Sequence, residues 1–185
     1  AVADLLSGKV SPSGKLTDTI ADSLADYPSA NDFGDMVRNF YTEDIYVGYR
    51  YFETFCPEKV LYEFGFGLSY TDFTIEILEA GTKECGKKVQ ITVQVKNTGN
   101  FKGKEVVQVY VEAPQGALGK PVRELKAFTK TKELEPGEVQ QLTLDIPVSS
   151  LASYDDSGVT GHRSCYVLEA GNYIFHVGNS VRHTQ

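Results

Sequence analysis

An α/β end segment followed by an all-β sandwich is the fold class this sequence predicts, and three observations carry the prediction. Beyond residue 70, apolar side chains recur at every second position, the period of a strand whose two faces meet different surroundings. Before residue 44 the chain reads as short helix-like and loop-like pieces. Between the two lies an aromatic-rich stretch, residues 44–70, which we read as a domain junction. The expected division is 1–70, the C-terminal part of an α/β sandwich domain with a long loop and an aromatic junction strand, and 71–185, a β-sandwich.

The elements follow in order. Val2, Leu5 and Leu6 lie at helical spacing and Gly8 follows, so residues 2–7 read as the last turns of an amphipathic helix that should dock on a sheet. Ser11-Pro12-Ser13-Gly14 is a turn, and Lys15-Leu16-Thr17 a short strand after it. One such helix, turn and strand cannot cover a parallel sheet, so the segment is expected to end a larger α/β domain. Residues 21–40 mix Asp, Ser, Asn, Pro and Gly without periodicity and read as a long surface connection, a candidate rim for a site.

Residues 44–52 alternate Ile45, Val47, Tyr49 and Tyr51 with Tyr46, Gly48, Arg50 and Phe52, which predicts a strand covered on both faces, with Arg50 placed to meet a buried carboxylate. Packing is the preferred role for its rings; the alternative is a platform that stacks on sugars. In Phe64-Gly65-Phe66-Gly67 the glycines allow close backbone approach while the rings fill gaps. The run lacks the Lys-Ser/Thr and the following helix of a phosphate loop.

In the second half Phe73, Ile75 and Ile77 share one face, and Val89, Ile91, Val93 and Val95 another. Asn97-Thr98-Gly99-Asn100 turns the chain; Val107, Val109 and Val111 then face inward, with Gln108 and Tyr110 opposite. Further strands are expected over 122–132, 140–146 and 171–177, with a turn at Glu135-Pro136-Gly137-Glu138. Six or seven short strands joined by turns indicate an antiparallel immunoglobulin-like sandwich. With no Trp in the chain it lacks the Cys…Trp…Cys signature, and fibronectin type III-like is the better label.

Charge and composition exclude several functions. A net charge of −7 argues against nucleic acid and anionic lipid, which need a clustered basic face. Lys126, Lys130 and Lys132 are offset by Glu124, Glu133 and Glu135 and read as a solvated face without a role. No apolar run approaches the roughly 20 residues of a membrane span. Cys56, Cys85 and Cys165 form no disulfide framework or metal-binding C-x-x-C, which points to reduced, cytoplasmic surroundings, although a bridge between two of them stays open. Ala1 opens inside a helix with no Met, signal peptide or N-cap before it, so residue 1 is expected to be a cut or processed end.

Site chemistry is sparse. Asp155 and Asp156 are adjacent, so their side chains diverge in an extended segment and suit a turn; Glu43 and Asp44 share that defect as a catalytic pair. His162, His176 and His183 lack ligand spacing. No catalytic, cofactor-binding or metal-ligating residue is assigned.

Several motifs nevertheless agree in order. Ala1-Val2-Ala3-Asp4-Leu5-Leu6-Ser7-Gly8, Ser11-Pro12-Ser13-Gly14-Lys15-Leu16, the stretch from Ile45 to Phe52, and Phe64-Gly65-Phe66-Gly67-Leu68-Ser69-Tyr70 resemble the end of the α/β sandwich domain of glycoside hydrolase family 3. Val95-Lys96-Asn97-Thr98-Gly99, the run from Gly103 to Val111, Arg123-Glu124-Leu125-Lys126-Ala127-Phe128, Leu134-Glu135-Pro136-Gly137-Glu138 and Val177-Gly178 resemble that family's fibronectin type III-like domain. The resemblance implies a non-catalytic portion of a bacterial retaining β-glucosidase. Its nucleophile Asp and acid/base Glu would lie outside this chain, in a barrel domain and in the rest of the α/β domain, and these would be its partners. The chain alone is then inactive, meets a β-glucoside only through the assembled enzyme, and carries no cofactor. The longer loop 155–164 and the open end at Arg182-His183-Thr184-Gln185 are similar to members with a permuted domain order. A competing expectation is a carbohydrate-binding or protein-interaction module, and a homo-oligomer is compatible with either.

Overall fold

The computed structural model describes residues 1–32, 34 and 36–185. Helix α1 (Val2–Leu6) lies where its spacing put it, with Gly8 beyond it at φ 74°, a left-handed backbone that side chains resist. It docks on no sheet within the described residues: none of its side chains is fully buried, and Tyr70 holds it by donating its hydroxyl to the Leu5 carbonyl at 2.8 Å. The strand expected at Lys15-Leu16-Thr17 does not form. Leu16 makes two backbone bonds with the Phe64-Gly65-Phe66-Gly67 run instead: its N–H donates to the Phe66 carbonyl at 2.7 Å and its carbonyl accepts from Gly65 at 2.8 Å. Strand pairing begins later, at β1 (Ile20–Ala21).

The long connection after β1 contains a 3₁₀ turn, Leu24–Asp26, closed by a reciprocal Ser23–Asp26 capping box. Phe33 and Asp35 of that connection lie outside the described residues. Tyr27 anchors it, donating its hydroxyl to the Thr19 carbonyl at 2.8 Å and setting its ring edge-on to Phe52 at 5.3 Å.

The junction strand expected over residues 44–52 is a helix, α2 (Tyr49–Phe55), entered from turns through Gly48 at φ 58°. Its apolar residues satisfy two periods at once. Read with period 2 they alternate, but Tyr49 and Phe52 are also three apart, and those two are the buried pair on α2. Gly48 ends any extended run, and packing of one helical face outweighs the strand preference of aromatic residues. A 3₁₀ turn, Pro57–Lys59, then leads to β2 (Val60–Tyr62), which pairs antiparallel with β1.

The sandwich follows. β3 (Phe73–Lys83), β4 (Lys88–Asn97), β5 (Val106–Glu112), β6 (Glu124–Lys130) and β7 (Val139–Pro147) precede the short hairpin of β8 (Ser153–Asp155) and β9 (Cys165–Val167), and β10 (Ile174–Gly178) closes the series. One sheet has the order β3-β4-β7 and the other β10-β5-β6, all pairs antiparallel. Alternation sends Ile91, Val93 and Val95 of β4, Leu144 and Ile146 of β7, Val107, Val109 and Val111 of β5, and Val177 of β10 into one buried core. Each such side chain contributes about 1.5–3 kcal/mol of burial free energy. Ile77 keeps the register of Phe73 and Ile75, opposite Val93, but is 37% exposed on β3, an edge strand whose register shifts just beyond it.

Asn97 closes the end of this core. It is fully buried; its side chain accepts from the Thr71 hydroxyl at 2.7 Å and the Gly99 N–H at 3.1 Å, and donates to the carbonyls of Phe101 and Leu134 at 2.8 and 2.9 Å. The motif that reads as a turn in sequence is thus a buried amide fastening three loops.

Candidate functional site

Gln108 and Tyr110 do point away from the sandwich core, yet they are buried too, because the outer face of β5 is covered by the first 70 residues. Tyr49, Tyr110 and Val181, with Phe64 and Leu125 against them, form a second small core there. The Tyr49 ring lies 4.6 Å from Phe64 and edge-on to Tyr110 at 6.0 Å. Its hydroxyl accepts the Leu125 N–H of β6 at 2.8 Å. Burial pushes the Tyr110 hydroxyl well above the ordinary phenol range, so it stays a neutral donor to Gln108. Gln108 in turn donates to the Asn179 carbonyl at 2.7 Å.

The glycines of the aromatic run act as expected from their spacing. Any side chain at Gly65 would strike Gln108, and any at Gly67 would strike the Gly14 carbonyl. Charge links the halves as well. Lys15 Nζ lies 2.8 Å from Glu105 Oε1, both side chains largely buried, and Glu105 also accepts from Asn179 at 3.1 Å and from the Val106 N–H at 2.7 Å. Lys130, given no role from sequence, donates to the Ser13 carbonyl at 2.8 Å. Arg50 meets the half-buried Glu124 at 3.3 Å.

A Ser, His and Glu also converge, which no spacing foretold. Ser180 Oγ donates to Glu63 Oε1 at 3.0 Å, and His183 Nδ1 lies 3.0 Å from Ser180 and 3.1 Å from Glu63. A nucleophile relay uses the two ring nitrogens separately, one toward the hydroxyl and one toward the carboxylate. Here a single nitrogen faces both, and the serine proton is committed to Glu63. The cluster fastens the bend at 179–183 to the junction and has no geometry for attack on a substrate.

The remaining candidates stay apart. Glu43 accepts from Ser29 at 3.2 Å, and His176 lies 3.2 Å from Glu112. Among the described residues no group of His, Cys, Asp and Glu could hold a metal ion, and the three cysteines are free thiols. Asp155 does organise a turn. Fully buried, its carboxylate accepts from the N–H groups of Gly158, Val159 and Thr160 and from the hydroxyls of Ser157 and Thr160. The Thr160 hydroxyl above all holds this carboxyl well below the usual carboxylate range. A depressed folded pKa gives a contribution complete above the unfolded value, about 3.9, and lost as pH falls beneath it. Asp155→Asn should therefore lower Tm at pH 6, with the gap to wild type narrowing progressively as pH falls below about 4; a gap that does not depend on pH in thermal melts would refute this.

Comparison with known proteins identifies both halves. Residues 1–70 match the model of the glycosyl hydrolase family 3 C-terminal domain, and residues 105–181 that of a fibronectin type III-like domain. A β-glucosidase of Ruminococcus albus is 51% identical over 97% of this chain, and β-glucosidase A of Butyrivibrio fibrisolvens 48% identical over all of it. The chain spans 19% and 24% of those relatives. Among solved structures, a β-glucosidase from Paenibacillus barengoltzii superposes with a TM-score of 0.97 at 62% identity, all of this chain on 20% of that one. β-Glucosidase 3B from Thermotoga neapolitana, in complex with glucose, superposes at 0.87 and 43% identity, covering 99% of this chain and 25% of its own. Among the described residues no helix is long and apolar enough to cross a membrane. With both family models matched in order and relatives aligned along almost its whole length, the chain belongs to glycoside hydrolase family 3, of which it carries the C-terminal domain and the fibronectin type III-like domain.

Proposed function

We propose that this chain is a non-catalytic scaffold of a retaining β-glucosidase, which holds the enzyme's catalytic parts in register. The observation that carries the reading is an uncovered apolar face on residues 1–70. Val2, Leu6 and Leu68 are 70%, 80% and 71% exposed, and Leu5, Val10, Leu16, Ile20, Tyr62 and Phe66 line a groove of about 830 Å³ beside them. A lone soluble domain rarely leaves such a continuous apolar surface open. Together with a span of about a fifth of the relatives' length, it fits a segment covered by the remainder of the same enzyme.

In this reading 1–70 completes an α/β sandwich domain and 71–185 is the fibronectin-like domain that backs it. Retaining hydrolysis of a terminal β-linked glucose needs two carboxyl groups about 5–5.5 Å apart. We place both in the rest of the polypeptide and none here, because the carboxylates described above are committed to structural partners. The three free thiols support a reducing, cytoplasmic setting.

The test is complementation. A polypeptide carrying the remainder of the enzyme, mixed with this chain, should gain hydrolysis of an aryl β-glucoside by at least about a hundredfold, since displaced catalytic groups are costly in rate. Full activity of the remainder alone would overturn the proposal. The competing cover for the groove is a second copy, and light scattering that gives a stable dimer of this chain would favour it.

A further inference from the structure

The rings of residues 44–52 pack as expected, with Tyr49 and Phe52 buried, so the alternative of a sugar-stacking platform there is not formed. Two other rings are in the open. Tyr154 of β8 and Tyr166 of β9 are directly paired across the hairpin, their rings 5.2 Å apart at 66°, and they are 51% and 74% exposed. Neither belongs to the core clusters. The strands alternate around them: Ser153 and Asp155 turn in while Tyr154 turns out, and Cys165 and Val167 are half-buried while Tyr166 stands clear.

The nine residues that join the two strands are also tied down by hydrogen bonds. Asp155 gathers the five donors described above, and the Ser164 N–H closes the loop on the Asp155 carbonyl at 2.6 Å. The two rings are thus held in place before any partner arrives, which lowers the ordering cost of binding. Tyrosine suits this work, offering a broad apolar face and a polar hydroxyl with few rotatable bonds.

Size selects the occupant. Two tyrosines can bury at most about 500 Å², short of the roughly 800 Å² per partner of a stable protein interface. That area matches one or two pyranose rings, whose C–H faces pack on aromatic rings while their hydroxyls stay in water. A net charge of −7 disfavours an anionic ligand, so a neutral sugar fits better.

Resting on the reading that the chain serves a β-glucosidase, we propose that Tyr154 and Tyr166 form a secondary binding site for a neutral β-linked gluco-oligosaccharide, separate from the site of hydrolysis.

The test is a titration of the 185-residue chain with cellotetraose, followed by the ring and amide resonances of the hairpin. Saturable shifts at Tyr154, Tyr166 and residues 153–167 are expected, with a Kd of about 1 mM. Tyr166→Phe, which keeps the aromatic face, should bind within about twofold of wild type, and Tyr166→Leu, which keeps apolar bulk, should lose about tenfold. A thermal melt of each variant establishes that the hairpin remains folded. Absence of saturable shifts in the wild type, full binding by Tyr166→Leu, or equal binding of α-linked maltotetraose would overturn the proposal. The complementation assay stays independent: a failure there removes the scaffold reading, whereas a failure here removes only the second site.

Discussion

Replacing Lys15 by methionine is expected to destabilise the chain by about 3–5 kcal/mol, the usual cost of stranding one member of a buried ion pair. Glu105 would keep the Val106 N–H and the Asn179 amide but lose the only cation that these contacts give it, 2.8 Å away. Methionine preserves most of the lysine stem, so lost packing contributes little. The double variant Lys15→Met with Glu105→Gln removes both charges and should recover more than half of the loss. Urea unfolding of the four chains of this cycle measures the coupling. Equal, additive losses would show that the pair does not act as a unit. The functional consequence follows from position: this pair joins the α/β segment to the sandwich, so the single variant should also weaken complementation, and the double variant should restore it.

Phe52→Ala should cost a similar amount, about 3–5 kcal/mol, by a different mechanism. Phe52 is fully buried on α2, edge-on to Tyr27 at 5.3 Å and to Tyr51 at 5.4 Å. Its removal leaves a void beneath the connection that Tyr27 anchors, and that connection has little regular structure with which to collapse onto it. Phe52→Leu, which refills most of the volume, should cost less than half as much. Chemical denaturation checks both, and a loss below about 1 kcal/mol for the alanine variant would mean that the site repacks.

The proposed scaffold role would be felt at these two residues. Lys15 reaches across to Glu105 of the sandwich, whereas Phe52 packs within the first 70 residues against Tyr27 and Tyr51 and holds their shape. If the catalytic groups lie in the rest of the enzyme, as proposed, they would inherit any error in that placement, and misplacement by about 1 Å is enough to cost roughly a hundredfold in rate.

The β-half was legible residue by residue because strand alternation is a local code. Val89 to Val95 and Val107 to Val111 point where period 2 sends them, and the turns at Asn97 and Pro136 lie between strands, each carrying the chain from one sheet to the other. The glycines of Phe64-Gly65-Phe66-Gly67 were equally readable, since the absence of a side chain at a fixed spacing implies close approach whatever the partner. The order and type of both halves, and through them the family, were therefore written in the sequence alone. What it left undecided depended on partners far away along the chain. Residues 44–52 satisfy helical and strand periods together, and only the packing of Phe52 on Tyr27 and of Tyr49 on Phe64 and Tyr110 selects the helix. Lys15 meeting Glu105, Ser180 meeting Glu63, and Tyr154 lying against Tyr166 in the open are all consequences of tertiary placement. Periodicity reports whether a side chain is buried; which group it meets there is set by the fold.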